Sequence, residues 1–101
     1  MSRKDEIGKH ATTVVTRDGI TTVAYHNTPV VAWVQAEDMV ILDTGGYRTY
    51  TTKARMNQTA AMFGLPYHVR QRDGEWFVTV TYADGSTEVL LFEGEQITVE
   101  W

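Results

Sequence analysis

Cysteine is absent from the 101 residues, and there are only two prolines. Without cysteine there are no disulfides, no thiolate metal sites and no cysteine nucleophiles. The absence fits a reducing compartment, where structural disulfides are rare. A chain of this length can bury a core without covalent staples and suits a single domain. Long hydrophobic runs are missing too. The longest covers residues 30–34, against about 20 needed to cross a bilayer. The opening MSRKDEIGKHATT has no apolar stretch of the kind a signal peptide carries. These features predict a cytosolic protein with no membrane partner.

Acid is absent from residues 44–72, where Arg48, Lys53, Arg55, Arg70 and Arg72 supply five positive charges. Residues 73–101 reverse this, with seven acids and no Lys or Arg, and the first 43 residues carry a net −2. The total of −4 therefore hides a chain charged in blocks. Charge asymmetry of this kind can steer a partner.

Val, Thr, Tyr and Trp dominate the remainder in short runs. Residues 12–16 and 20–26 flank Arg17-Asp18-Gly19, and Asp-Gly between β-branched runs predicts a hairpin. Asn27-Thr28-Pro29 is the next break, since Pro29 can start a strand but not sit in its middle. Residues 30–35 read as a third strand and 39–42 as a fourth, apolar on both faces. A helix follows Thr44-Gly45-Gly46, with Thr51 as the expected N-cap and a start between residues 50 and 53. Gly64 fits the position just past its end, and Pro66 stops it. Met56, Ala60 and Phe63 share a stripe that faces the sheet. Strands return at 67–71, from Trp76 to Tyr82, at 88–92 and at 97–101, with turns at Asp73-Gly74 and Asp84-Gly85. The expectation is one α+β domain over 12–101, mostly antiparallel sheet with one short central helix in the order ββββ-α-ββββ, behind a frayed segment 1–11. Trp33, Ile41, Phe63, Trp76, Val78 and Val80 are the expected core.

Catalytic signals are sparse. Ile41-Leu42-Asp43-Thr44-Gly45 resembles the catalytic turn of dimeric aspartic proteases, but over five residues only. No helix is expected near the C-terminus to complete such an enzyme, and Asp-Thr-Gly is ordinary turn chemistry. His10, His26 and His68 form no ligand spacing, so no metal site is expected. No phosphate-binding glycine pattern and no GxSxG motif is present. The reading is a protein without catalytic residues, metal or cofactor.

Residues 45–58, GGYRTYTTKARMNQ, stand out. They set Tyr47, Arg48, Lys53, Arg55 and Asn57 around a helix N-terminus, where free amides and the dipole attract anions. Basic side chains there oppose the dipole, which marks them for a partner or for an internal carboxylate such as Glu88 or Glu93. These five residues are the candidate binding set.

The stretch ILDTGGYRTYTTKARMNQ, followed by FGLPYHVRQRDGEWFV and preceded by TTVAYHNTPVVAW, resembles small uncharacterised proteins encoded by bacteriophages and prophages. The resemblance covers residues 12–82. It implies a phage origin, with the bacterial host cytoplasm as its location, and no particular activity. The expected role is that of a phage accessory protein binding a host or phage macromolecule, such as a bacterial defence component or host factor. The alternatives are a nucleic-acid-binding module using the basic 48–72 segment and, disfavoured, a dimeric protease using Asp43. Self-association is compatible with either binding role.

Overall fold

The computed structural model describes residues 7–101. Eight strands and one helix follow in the predicted order. They are β1 (Thr12–Arg17), β2 (Ile20–Tyr25), β3 (Thr28–Val34), β4 (Met39–Asp43), α1 (Tyr50–Phe63), β5 (Tyr67–Arg72), β6 (Glu75–Thr81), β7 (Thr87–Leu91) and β8 (Gln96–Glu100). All strand pairings are antiparallel, but they form two sheets rather than one. Five strands run in the order β1-β2-β3-β4-β8, and three in the order β5-β6-β7. The last strand leaves its neighbours in sequence and closes the first sheet against β4, from Met39↔Glu100 to Asp43↔Gln96.

Turn chemistry sets this topology. Asp18 and Gly19 have φ of 53° and 78°, and Asp73 and Gly74 have 52° and 80°. Positive φ at both central residues is what a two-residue hairpin with the native strand twist requires. The β2–β3 hairpin uses the same device one residue earlier than expected, on His26 (φ 49°) and Asn27 (φ 65°). Thr28 and Pro29 consequently belong to β3, with Pro29 beside a register shift at Val23/Ala24. A bulge of this kind accommodates a residue with no amide to donate.

The helix begins within the expected window, but its cap is Thr49, not Thr51. Thr49 has an extended backbone (φ −98°, ψ 160°), and its Oγ1 accepts from the Thr52 amide at 3.1 Å. Thr51 lies inside the helix and cannot present that geometry. Gly64 ends the helix in the left-handed conformation at φ 67°, as expected.

The core lies between the inner faces of the two sheets and α1. Trp76, Val78 and Val80 of β6 are buried as expected, together with Val23, Val31, Val40, Leu42, Met56, Phe92 and Val99. Three other expected core residues are only half-buried. Trp33 and Phe63 pack at its margin with ring centroids 5.2 Å apart. Ile41 points to the opposite face of the sheet from Val40 and Leu42. With β4 apolar on both faces, alternation could not say which set faces inward.

Of the segment expected to fray, residues 1–6 lie outside the described residues. Ile7 packs against the core and the Gly8 amide donates to Gln58 Oε1 at 2.9 Å, while Lys9, His10 and Ala11 are exposed. A side chain at position 8 would collide with the Arg55 guanidinium.

Candidate binding site

The loop between β4 and α1 is built by hydrogen bonds within its own motif. Asp43 Oδ1 accepts from the Gly45 amide at 2.7 Å, and Thr44 Oγ1 accepts from the Gly46 amide at 3.2 Å. The Thr44 amide reaches the Glu95 carbonyl at 2.8 Å, which ties the turn to the strand β8 entry. Asp43, the last residue of β4, thus anchors the turn that follows it. Gly45 is required twice, by its φ of 63° and because a Cβ there would sit 2.6 Å from Thr28 Cγ2.

This close approach shapes a cleft of about 330 Å³ lined by Tyr25, His26, Thr28, Val30, Thr44, Tyr47, Thr49 and Thr52. It joins the β2–β3 hairpin to the helix N-terminus. Tyr47 is 72% exposed at its edge, and Tyr50, the first helical residue, is 81% exposed. The Lys53 ammonium stands 5.9 Å from the Tyr50 ring centroid, within cation–π range. The walls are methyls, hydroxyls and aromatic rings, a surface suited to an apolar or aromatic group with a few hydrogen bonds.

The five sequence-selected residues divide between this surface and the fold itself. Tyr47 and Lys53 belong to the exposed helix entrance. Arg48, though exposed, reaches across the β7–β8 connection. Its Nη2 donates to the carbonyls of Phe92 (2.7 Å) and Gly94 (2.9 Å), and its guanidinium carbon lies 5.7 Å from both the Trp76 and Phe92 ring centroids. Arg55 is buried: its Nε donates to Thr12 Oγ1 at 2.8 Å and its Nη1 to Gln58 Oε1 at 3.1 Å, with the Tyr25 ring 5.6 Å away. Asn57 pairs with the backbone of Val69 on β5. Among the described residues, the two arginines are thus held by carbonyls, a hydroxyl and rings, not by Glu88 or Glu93, the internal carboxylates the sequence offered. Glu93 flanks the Arg48 contacts only as the residue between the two accepting carbonyls.

Sequence reading overlooked Tyr25, His26 and Thr28, and it left Tyr50, within the segment it singled out, outside the binding set. The signal available for them was weak. His26-Asn27 is an uncommon turn pair, and nothing in the order of residues brings it to a helix 24 positions later. The histidines, isolated in sequence, are not all isolated in space: His10 and His26 rings meet edge to face at 5.9 Å. Among the described residues, no group of three or more His, Asp or Glu is placed to hold a metal ion, and no helix is long and apolar enough to cross a membrane.

The motif that builds this loop is the one that marks the phage resemblance, and comparison with known families bears that resemblance out: this is a phage-encoded protein. The chain belongs to the family described as Kyanoviridae Gp96 protein, which it matches over residues 1–98. No curated protein and no solved structure matches it.

Proposed function

We propose that this phage protein is an accessory factor that works in the bacterial host cytoplasm by binding a host or phage protein at the cleft between the β2–β3 hairpin and the α1 N-terminus. The observation carrying this is the pair Tyr47 and Tyr50, more than two-thirds exposed beside an apolar, threonine-lined cleft. Exposed tyrosines give large contact area at low entropic cost and are enriched where proteins meet. A projecting apolar or aromatic side chain of the partner fits the cleft, and Lys53 supplies an attraction for acidic residues around it. Inhibition of a bacterial defence component or another host factor is the role such binding would serve. The test is affinity capture from bacterial lysate, with and without nuclease. Tyr47→Ala/Tyr50→Ala should lose the captured protein while keeping the wild-type melting temperature. Undiminished capture by that variant would refute the assignment.

A second reading is nucleic-acid binding, favoured by one specific arrangement. His68, Arg70 and Arg72 line up on the exposed face of β5, and Arg70 lies directly opposite Phe77 of β6. Cationic side chains beside an aromatic ring can hold phosphate and stack a base. Capture that disappears on nuclease treatment and on Arg70→Glu/Arg72→Glu would favour this reading. Its affinity would fall with salt at about one log-log slope unit per phosphate.

A further inference from the structure

The five-stranded sheet has a second face, opposite the one packed on α1 and β6. Two complete rows of paired residues cross it. One runs Arg17–Ile20–Val34–Met39–Glu100, the other Val15–Thr22–Ala32–Ile41–Thr98. None of these ten residues is buried, and Val15 and Ile20 are 51% and 40% exposed. Antiparallel sheets solvated on one face alternate apolar inside with polar outside. Here the centre of the outer face carries Ile20, Val34, Met39, Ala32 and Ile41, so β3 and β4 have the composition of strands covered on both sides.

The ends of the first row identify what covers them. Arg17 on β1 and Glu100 on β8 stand at opposite edges of the sheet, four strand spacings or roughly 19 Å apart. We infer that this face is the interface of a homodimer in which a second copy of the chain packs sheet on sheet. A two-fold axis running along β3 within the interface sets each row against its own reverse. The apolar centre then meets the same apolar centre, and each Arg17 meets the other copy's Glu100. Such self-complementarity is what an isologous contact requires, and aligned stacking of two sheets is a standard packing mode. The same operation keeps the two Asp43 residues on opposite sides of the axis, so the dimer does not assemble a paired-aspartate site. Five strands of five to seven residues give a face of roughly 24 by 20 Å, below the size of stable interfaces and in the range of weak, transient ones. The dimer should therefore dissociate on dilution.

Sedimentation velocity over a series from low micromolar to hundreds of micromolar tests this. The expected result is a monomer–dimer equilibrium that Ile20→Glu shifts to monomer with the fold intact by circular dichroism. Val15→Glu, at the more exposed edge position, serves the same purpose if Ile20→Glu does not fold. Arg17→Glu and Glu100→Arg should each weaken association several-fold, and the double reversal should restore it. Those residues are too far apart within one chain for restoration to arise internally. A monomer at every concentration, a dimer indifferent to Ile20→Glu and Val15→Glu, or a dimer broken instead by Leu91→Glu on the other sheet would each overturn the inference. So would a double reversal no better than its single parents.

Discussion

Asn57 pairs with the backbone of Val69 in both directions, its Nδ2 donating to the Val69 carbonyl and its Oδ1 accepting from the Val69 amide, each at 2.7 Å. The side chain acts as one more strand residue beside β5 and fastens α1 to the three-stranded sheet. Asn57→Ala leaves both backbone groups unpaired at a partly buried site, and should lower stability by roughly 2–3 kcal/mol. Asn57→Asp should behave similarly, because it removes the donor and turns a charge toward a carbonyl. Thermal denaturation distinguishes this from a binding role, in which either variant would keep its melting temperature.

Arg48 makes a comparable link on the other side of α1. One nitrogen bridges the two carbonyls, and the planar guanidinium lies against two rings, a contact that an ammonium reproduces poorly. Arg48→Lys should cost roughly 1–2 kcal/mol, and Arg48→Glu more. Chemical denaturation would show this as a lower midpoint. An unchanged midpoint for Arg48→Glu would mean that the guanidinium contacts carry no stability.

Trp76 is 1% exposed, with Phe92 edge-on at 6.0 Å. Trp76→Ala should cost about 3–5 kcal/mol. Trp33 is a useful contrast: among the described residues its indole Nε1 is buried without a hydrogen-bond partner. Trp33→Phe discards an unsatisfied donor, so its loss should be smaller than that of Trp76→Phe when the two are compared by melting temperature.

Tyr67 contributes a pH dependence. Its hydroxyl donates to the Met56 carbonyl at 2.8 Å, and burial pushes the phenol well above its ordinary value of 10.0. The folded state therefore holds this proton more tightly than the unfolded state does. The resulting stability is fully present below the unfolded phenol value of about 10 and declines as pH rises above it. Tyr67→Phe should flatten that alkaline decline, at a cost near neutrality of about 1 kcal/mol. Unfolding midpoints for both proteins across pH 9–11 provide the comparison, over a window of roughly one unit either side of that value.

Local chemistry made much of this fold legible. Asp18-Gly19, Asp73-Gly74, Gly64 and Pro66 each impose a backbone conformation wherever they occur, so the hairpins and the helix end follow from them directly. Ile41 and Leu42 were harder, because a strand apolar on both faces gives no alternation from which to choose. Thr49 and Thr51 are chemically equivalent caps, and only the path of the chain from Gly46 selects between them. The candidate site was least legible. Arg48, Arg55 and Asn57 have side chains that hold anions or backbone groups equally well, and the carbonyls they meet belong to distant segments. The division into two sheets was hidden for the same reason, since nothing near β8 names β4 as its neighbour.

That last pairing bears on how the molecule is made. Met39 waits for Glu100 and Asp43 for Gln96, so β4 cannot gain its outer neighbour until β8 has been made. β1 to β4 can form as a meander while the chain is still growing, but with one long edge open. Closing that edge brings together segments more than fifty residues apart, a non-local step that slows folding. A chain stopped short of Gln96 would expose the β4 edge permanently and present a template for intermolecular pairing. For this protein, chains that lack β8 should thus be prone to aggregate, and β8 is the strand whose arrival lets the sheet close.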